Sequence, residues 1–291
     1  MRLDDERESS NVEDRRGQLG GGLGFRHLSI GTVLIAIVAG YFLGVNPLTV
    51  LEMLSGGSSQ LSQSAPPTGP GAAPPANDQM ARFVSKVLAE TEDTWQLAFR
   101  EIGRTYRDPK LVLFTGSTST ACGLGESAQG PFYCPGDERV YIDLAFYQEL
   151  KDRFHAPGEF AEAYVIAHEV GHHVQNLLGT FAKVDAARRR ASEAESNRLS
   201  VRLELQADCY AGAWGKRADT ARHLLEPGEI DQALTAASAI GDDRLQKRAR
   251  GFAVPESFTH GTSEQRVRWF TRGMTAGDLK SCDTFDTRAP L

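Results

Sequence analysis

Apolar residues recur at helical spacing over most of this chain, and the departures from that rhythm are short. From Gln79 to Tyr106 the apolar positions Phe83, Val87, Trp95, Leu97, Phe99 and Ile102 mark a helix. "LVLFTG" (Leu111 to Gly116) is a short apolar run stopped by glycine and reads as a strand. "RVYIDLAFY" opens with alternation at Val140 and Ile142 and reads as a strand running into a helix. A second clear helix spans about Pro157 to Leu178, its apolar face supplied by Phe160, Ala163, Tyr164, Ile166, Ala167, Val170, Val174 and Leu177. The charged stretch "DAARRRASEAESNR" separates it from a long helix at about Ser196 to Ala218. The remainder is helical in pattern, with breaks near Pro227-Gly228, Gly241 and Pro255, and no internal repeat is visible. The fold class is therefore α+β, mostly α, with a small sheet beside the Pro157–Leu178 helix.

The N-terminal quarter reads differently. Met1 to Arg26 is almost entirely polar, with mixed charge and glycines, and predicts disorder. Leu28 to Leu51 carries no charged residue, and its "IGTVLIAIVAGYFLGV" is long enough to cross a bilayer as a helix. A cleaved signal would have a shorter apolar core and a small-residue cleavage site, whereas Asn46-Pro47-Leu48 follows here. Arg2, Arg7, Arg15, Arg16 and Arg26 precede the run, and no Lys or Arg follows until Arg82, so the N-terminus is expected in the cytoplasm and the rest beyond the membrane. "SGGSSQLSQSAPPTGPGAAPPAN" has the composition of a linker. The expected organisation is a cytoplasmic disordered segment (1–27), a transmembrane helix (28–51), a linker (52–77) and an exported domain (78–291). With 291 residues and a formal net charge of −6, the chain offers no reason to propose a nucleic-acid partner. The sequence does not fix an oligomeric state.

All four cysteines lie in the expected exported part, consistent with an oxidising compartment. Cys122 and Cys134 bracket "CGLGESAQGPFYC", a loop that a disulfide would close. That leaves Cys209 and Cys282 as the second pair. A cysteine zinc site is the rival, but no C-x-x-C spacing is present.

The chemistry concentrates in "AHEVGHHVQ". His168 and His172, four apart, project from one helix face, with Glu169 turned slightly off it. Two imidazoles and a nearby carboxylate there would hold a Zn²⁺ ion and reach the water on its open position. Without such a partner, these polar groups in a mostly buried helix would be costly. His173 points about 100° from His172 and cannot join that face, so it reads as a surface or outer-sphere histidine. A third ligand is needed. Gln175 and Leu178 exclude the metzincin extension, and "LELQAD" supplies the better candidate. Glu204 would complete a His₂Glu set, and Asp208, one turn on, would accept a hydrogen bond from a ligand imidazole. Glu193, Glu195, His223 and His260 compete for the ligand position but lack that combination with an apolar face.

Across nearly its whole length the chain resembles the bacterial membrane-anchored neutral zinc metallopeptidases, distant relatives of the gluzincins. The segments that carry the likeness are "RESSNVEDRRG", "GPFYCP", "HEVGHHVQ", "LELQADCYAG" and "FTHGTSEQRVRWF". The resemblance implies a zincin-like, minigluzincin-type domain at a bacterial inner membrane. It also implies His168, His172 and Glu204 as zinc ligands and Glu169 as general base. The expected reaction is hydrolysis of peptide bonds in peptide or protein substrates of the cell envelope, by zinc-activated water. His260 or Arg266 would stabilise the oxyanion. "GPFYCPGDERVYIDL" is the candidate lip and edge strand of the cleft. The competing class is a non-catalytic zinc-containing binding module, against which the presence of Glu169 speaks, since a structural site needs no base.

Overall fold

The computed structural model describes residues 1–17, 71–286 and 291. Its elements run β1 (Val12–Asp14), α1 (Gln79–Glu101), β2 (Lys110–Phe114), β3 (Ser117–Thr120), β4 (Gly123–Glu126), β5 (Phe132–Cys134), β6 (Arg139–Asp143), α2 (Ala145–Asp152), α3 (Glu159–Leu178), α4 (Thr180–Arg188), α5 (Glu193–Arg222), α6 (Glu229–Ala239), α7 (Asp242–Arg250) and α8 (Ser263–Ala276). The class is α+β and mostly helical, as the periodicity predicts.

A four-stranded sheet in the order β1-β2-β6-β5 lies against the helices. The β1–β2 and β2–β6 pairings are parallel, and β5 runs antiparallel to β6, with Phe132 opposite Tyr141 and Cys134 opposite Arg139. Alternation along the strands sorts the side chains. Leu111, Leu113, Tyr133, Val140 and Ile142 join the main core with the helices. Val112, Phe114, Cys134 and Tyr141, with Phe132, form a second small core on the opposite face. The β3–β4 hairpin presses on that second core: a Cβ at Gly125 would lie 2.3 Å from the Phe132 ring. The Cys122–Cys134 disulfide ties the hairpin loop to β5.

Helix α3 is the central element. Fifteen of its residues are buried, on all faces, because it packs between α1, α5 and α6 with the sheet at one side. Helix α5 begins with a capping box in which Ser192 and Glu195 satisfy each other's backbone N–H groups. The charged stretch before Ser196 is therefore partly helix, and α5 starts earlier than the apolar pattern predicts. Helix α8 crosses α5 closely enough that a Cβ at Gly273 would sit 1.9 Å from the Cys209 carbonyl oxygen, which glycine alone allows. The Cys209–Cys282 disulfide joins α5 to the segment after α8.

The N-terminal segment requires a correction. Residues 1–17 are not a disordered tail: β1 pairs with β2, and Leu3 and Val12 are buried in the main core. The polar residues that suggested disorder are consumed in fixing this strap to α1. Glu92, 2% exposed, accepts from Ser9 Oγ (2.5 Å), Asn11 Nδ2 (2.9 Å) and Arg7 Nη2 (2.8 Å). The described chain leaves this body at Gly17 and rejoins it at Gly71, where the Asp14 N–H donates to the Ala72 carbonyl at 2.7 Å. Residues 18–27 of the expected disordered segment, the apolar run 28–51 and residues 52–70 of the expected linker lie outside the described residues. One crossing between Gly17 and Gly71 would place the two sides of a single folded body on opposite faces of a bilayer. The single-pass inner-membrane arrangement, with a cytoplasmic N-terminus and an exported domain, is therefore overturned. Among the described residues no helix is long and apolar enough to cross a membrane.

Candidate metal centre and cleft

His168 and His172 stand one turn apart on α3, ring centroids 4.8 Å apart and nearly perpendicular. Helix α5 approaches this face because residue 171 is glycine; a Cβ there would lie 3.0 Å from the Ala207 carbonyl oxygen. That approach brings Glu204 between the imidazoles, with Oε2 3.2 Å from His168 Nε2 and Oε1 3.5 Å from His172 Nε2. Among the described residues these three form the group that could hold a metal, each offering an atom within 4.8 Å of the others. Glu193, Glu195, His223 and His260 are not part of it.

The donor set fits zinc. Four ligands at bond lengths of 2.0–2.1 Å place neighbouring donor atoms roughly 3.3 Å apart, close to the spacing here. Both imidazoles are also held in the tautomer a metal requires. His168 Nδ1 donates to Asp208 Oδ1 at 2.9 Å and His172 Nδ1 to Gln175 Oε1 at 2.8 Å, leaving each Nε2 lone pair facing Glu204. Gln175 is itself fixed, its Nε2 donating to the Leu203 carbonyl at 2.7 Å. Burial pushes the His168 pKa down, but the Asp208 charge and hydrogen bond, with Glu204, outweigh it and raise the pKa to about 10. The site thus favours a cation at Nε2, whether a proton or a metal.

Asp208 is fully buried and heavily used. Besides His168 it accepts from Tyr164 Oη (2.6 Å), Arg266 Nε (2.9 Å) and Arg266 Nη2 (2.9 Å). Burial raises the Asp208 pKa, but the Arg266 and His168 charges outweigh it and hold the carboxyl below its ordinary value. Arg266, 2% exposed, is thus committed to Asp208, although its side chain also lines the cleft. Glu169 is 7% exposed, and burial pushes its carboxyl above the ordinary range despite the two histidines beside it.

His168, Glu169, His172, Glu204 and Arg266 line one cleft of about 610 Å³. Its walls include Phe132 and Tyr133 of β5, the loop before β5, Phe146, Phe181 and Leu203. Of the expected lip, β5 is the edge strand, while β6 ("RVYID") is paired on both sides and lies inside the sheet. His260 lines the same cleft with its side chain half exposed. Its Nδ1 lies 3.2 Å from Asp242 Oδ1, and Asp242 Oδ2 accepts from the backbone N–H groups of Thr259 (2.7 Å), His260 (2.6 Å) and Gly261 (3.2 Å). Its hydrogen bond to the Asp242 carboxylate raises the His260 pKa. His173 is neither on the surface nor beside the metal group. It is fully buried, with Nε2 2.6 Å from the Arg107 carbonyl and Nδ1 3.0 Å from Tyr133 Oη.

Sequence reasoning missed Tyr164, Gln175 and Asp242. Tyr164 sits four before His168 on the same face, a spacing that could have exposed it. Nothing local points to Asp242, which reaches His260 from another helix.

Comparisons with known proteins agree with this chemistry. The family model described as "Putative neutral zinc metallopeptidase" matches residues 1–285. The protein YpfJ of Escherichia coli K12 is 50% identical over 293 aligned positions, covering 98% of this chain and 99% of that one. Rv2575 of Mycobacterium tuberculosis is 42% identical over 214 positions, covering 70% of this chain and 71% of its own. No solved structure matches. A match over nearly the whole length, with the His-His-Glu group at its centre, places this chain in the neutral zinc metallopeptidase family.

Proposed function

We propose that this protein is a zinc-dependent peptidase that hydrolyses peptide bonds within an extended substrate, on a zincin-like domain. The observation that carries the reading is the convergence of His168 Nε2, His172 Nε2 and Glu204 with an unligated, buried Glu169 in one open cleft. A site meant only to hold structure has no use for that fourth group.

His168, His172 and Glu204 would hold the ion, with Asp208 and Gln175 fixing the two imidazoles. When bound there, zinc lowers the pKa of water and polarises the scissile carbonyl. Glu169 takes the proton of the attacking water and returns it to the leaving amine; its raised pKa suits both halves of that task. His260 lines the cleft with Nδ1 held by Asp242, which leaves Nε2 to donate to the developing oxyanion. Arg266 is a weaker candidate for that work because Asp208 holds its Nε and Nη2. Edge strand β5 offers unpaired backbone groups along which a substrate strand can add.

The test is a set of three variants in the full chain. Glu169→Gln should keep about one zinc per chain and lose roughly 10²- to 10⁴-fold in hydrolysis of a general peptide substrate. Glu204→Ala should lose the zinc itself, and His260→Ala should keep zinc and lose roughly 10²-fold. Parental cleavage by Glu169→Gln would refute the assignment. A parent that binds zinc yet cleaves nothing in a broad peptide library would make the domain a zinc-containing binding module.

A further inference from the structure

The third histidine of "HEVGHH" has no place in the metal site, yet it is one of the most completely buried polar groups in the chain. We propose that His173 is a positioning residue: through Tyr133 it fixes the distance and register between edge strand β5 and the metal-binding face of α3. The proposal rests on the peptidase reading for its consequence, though not for its geometry.

The hydrogen bonds can be assigned by elimination. The Arg107 carbonyl can only accept, so His173 Nε2 carries the proton and donates across 2.6 Å. In the neutral ring Nδ1 is then a bare lone pair, and the Tyr133 hydroxyl donates to it across 3.0 Å. The Tyr133 oxygen accepts in turn from Asn176 Nδ2 at 3.0 Å. Every group in the chain Arg107–His173–Tyr133–Asn176 is satisfied in one arrangement. The ring is also packed edge-on against Tyr106 (centroids 5.6 Å) and Tyr133 (5.5 Å). A buried polar set satisfied in a single geometry specifies position more sharply than apolar packing would.

Strand β5 needs such a device. It has three residues, it pairs with β6 on one side only, and its other edge borders the cleft. The Cys122–Cys134 disulfide ties it to the β3–β4 hairpin, and Phe132 packs on Phe114 and Tyr141 of the sheet; neither holds it to α3. Tyr133 is the residue of β5 that points to the helix side, and it is gripped there by His173 and Asn176, three residues apart on one face of α3. His172 faces Glu204 while His173, about 100° round the helix, faces β5. Two adjacent residues of one rigid helix therefore address the metal and the substrate strand. Any shift of β5 against α3 moves a bound peptide relative to the ion, and misplacement of about 1 Å can cost on the order of 10²-fold in rate.

Three full-length, zinc-loaded variants test this. Tyr133→Phe removes only the hydroxyl. His173→Gln puts an amide nitrogen near the Nε2 position, keeping the Arg107 bond and losing Tyr133. His173→Asn puts an oxygen near the Nδ1 position, keeping Tyr133 and losing Arg107. Zinc content, amide hydrogen exchange in the peptide spanning 127–134, and kcat and KM on a long and a short peptide are measured. All variants should keep parental zinc. Tyr133→Phe and His173→Gln should exchange faster through β5 and lose on the order of tenfold in kcat/KM on the long peptide, chiefly through KM and less on the short one. His173→Asn should lose less in both readouts. Parental exchange in Tyr133→Phe, or equal losses on both peptides, would overturn the proposal. If the parent cleaves neither peptide, the peptidase reading fails, and the exchange rates alone still decide whether the clamp exists.

Discussion

Replacing Asp208 by asparagine exchanges one carboxylate oxygen for an amide, yet it should act on stability and on metal binding by separate routes. Asp208 is 0% exposed and its partner Arg266 is 3% exposed in the side chain. Removing one member of such a pair strands the other charge, a loss of about 3–5 kcal/mol. For a domain of this size, that corresponds to a fall of roughly 10 °C in unfolding temperature. Separately, the hydrogen bond from His168 Nδ1 loses its charged acceptor, which should weaken zinc roughly 10- to 100-fold. The double variant Asp208→Asn/Arg266→Met divides the two effects. With no stranded charge, most of the stability should return, whereas zinc affinity should stay low because the charged acceptor of His168 Nδ1 is still missing. Thermal unfolding of chelator-treated protein measures the first, and competition with a chromophoric chelator the second. A double variant no more stable than Asp208→Asn, or one with parental zinc affinity, would refute the reasoning.

The two disulfides close loops with sequence separations of 12 and 73 residues, so removing them should cost about 3 and about 4.4 kcal/mol by loop entropy. Paired Cys→Ala variants compared in urea should keep that order. Burial, and secondarily Glu159, raise the Glu162 pKa from 4.5 to about 7. The proton on Glu162 thus supports the fold at low pH, and this support is lost as pH rises from about 4.5 through 7. Glu162→Gln should therefore unfold at a higher temperature than the parent at pH 8 and at nearly the same temperature at pH 4. Val12→Asp puts a charge at a position 6% exposed in β1 and should lower stability by roughly 3 kcal/mol in thermal unfolding; a parental value would mean the N-terminal strap is not part of the fold.

What the sequence made legible is what repeats locally. His168 and His172, Glu204 and Asp208 are each pairs at i and i+4, and their roles can be proposed before any tertiary contact is known. The second disulfide followed by subtraction. Illegible were the groups supplied from elsewhere: Asp242 behind His260, and Tyr133 and Arg107 around His173. The His173 expectation failed for a specific reason. Rotation about the helix correctly removed it from the metal face, but could not say what lay on the other side.

The N-terminal segment failed by a different route, and its failure alters the topology of the whole chain. Composition treats Arg7, Ser9, Asn11 and Glu92 as separate polar residues, each favouring solvent. In the fold they satisfy one another against α1, and Leu3 and Val12 enter the core. An edge strand of three residues, parallel to β2, needs no apolar run of its own, because its backbone pairing and a few ion pairs hold it. Three of the basic residues read as an orientation signal are thus structural: Arg7 binds Glu92 and Asp93, Arg15 binds Glu13, and Arg16 binds Asp14 and Asp78. Charge bias can orient an apolar segment only while the flanking chain is free to choose a side. Here the flanks on both sides are already committed to one body, and the pairing of Asp14 with Ala72 closes that question from within the fold.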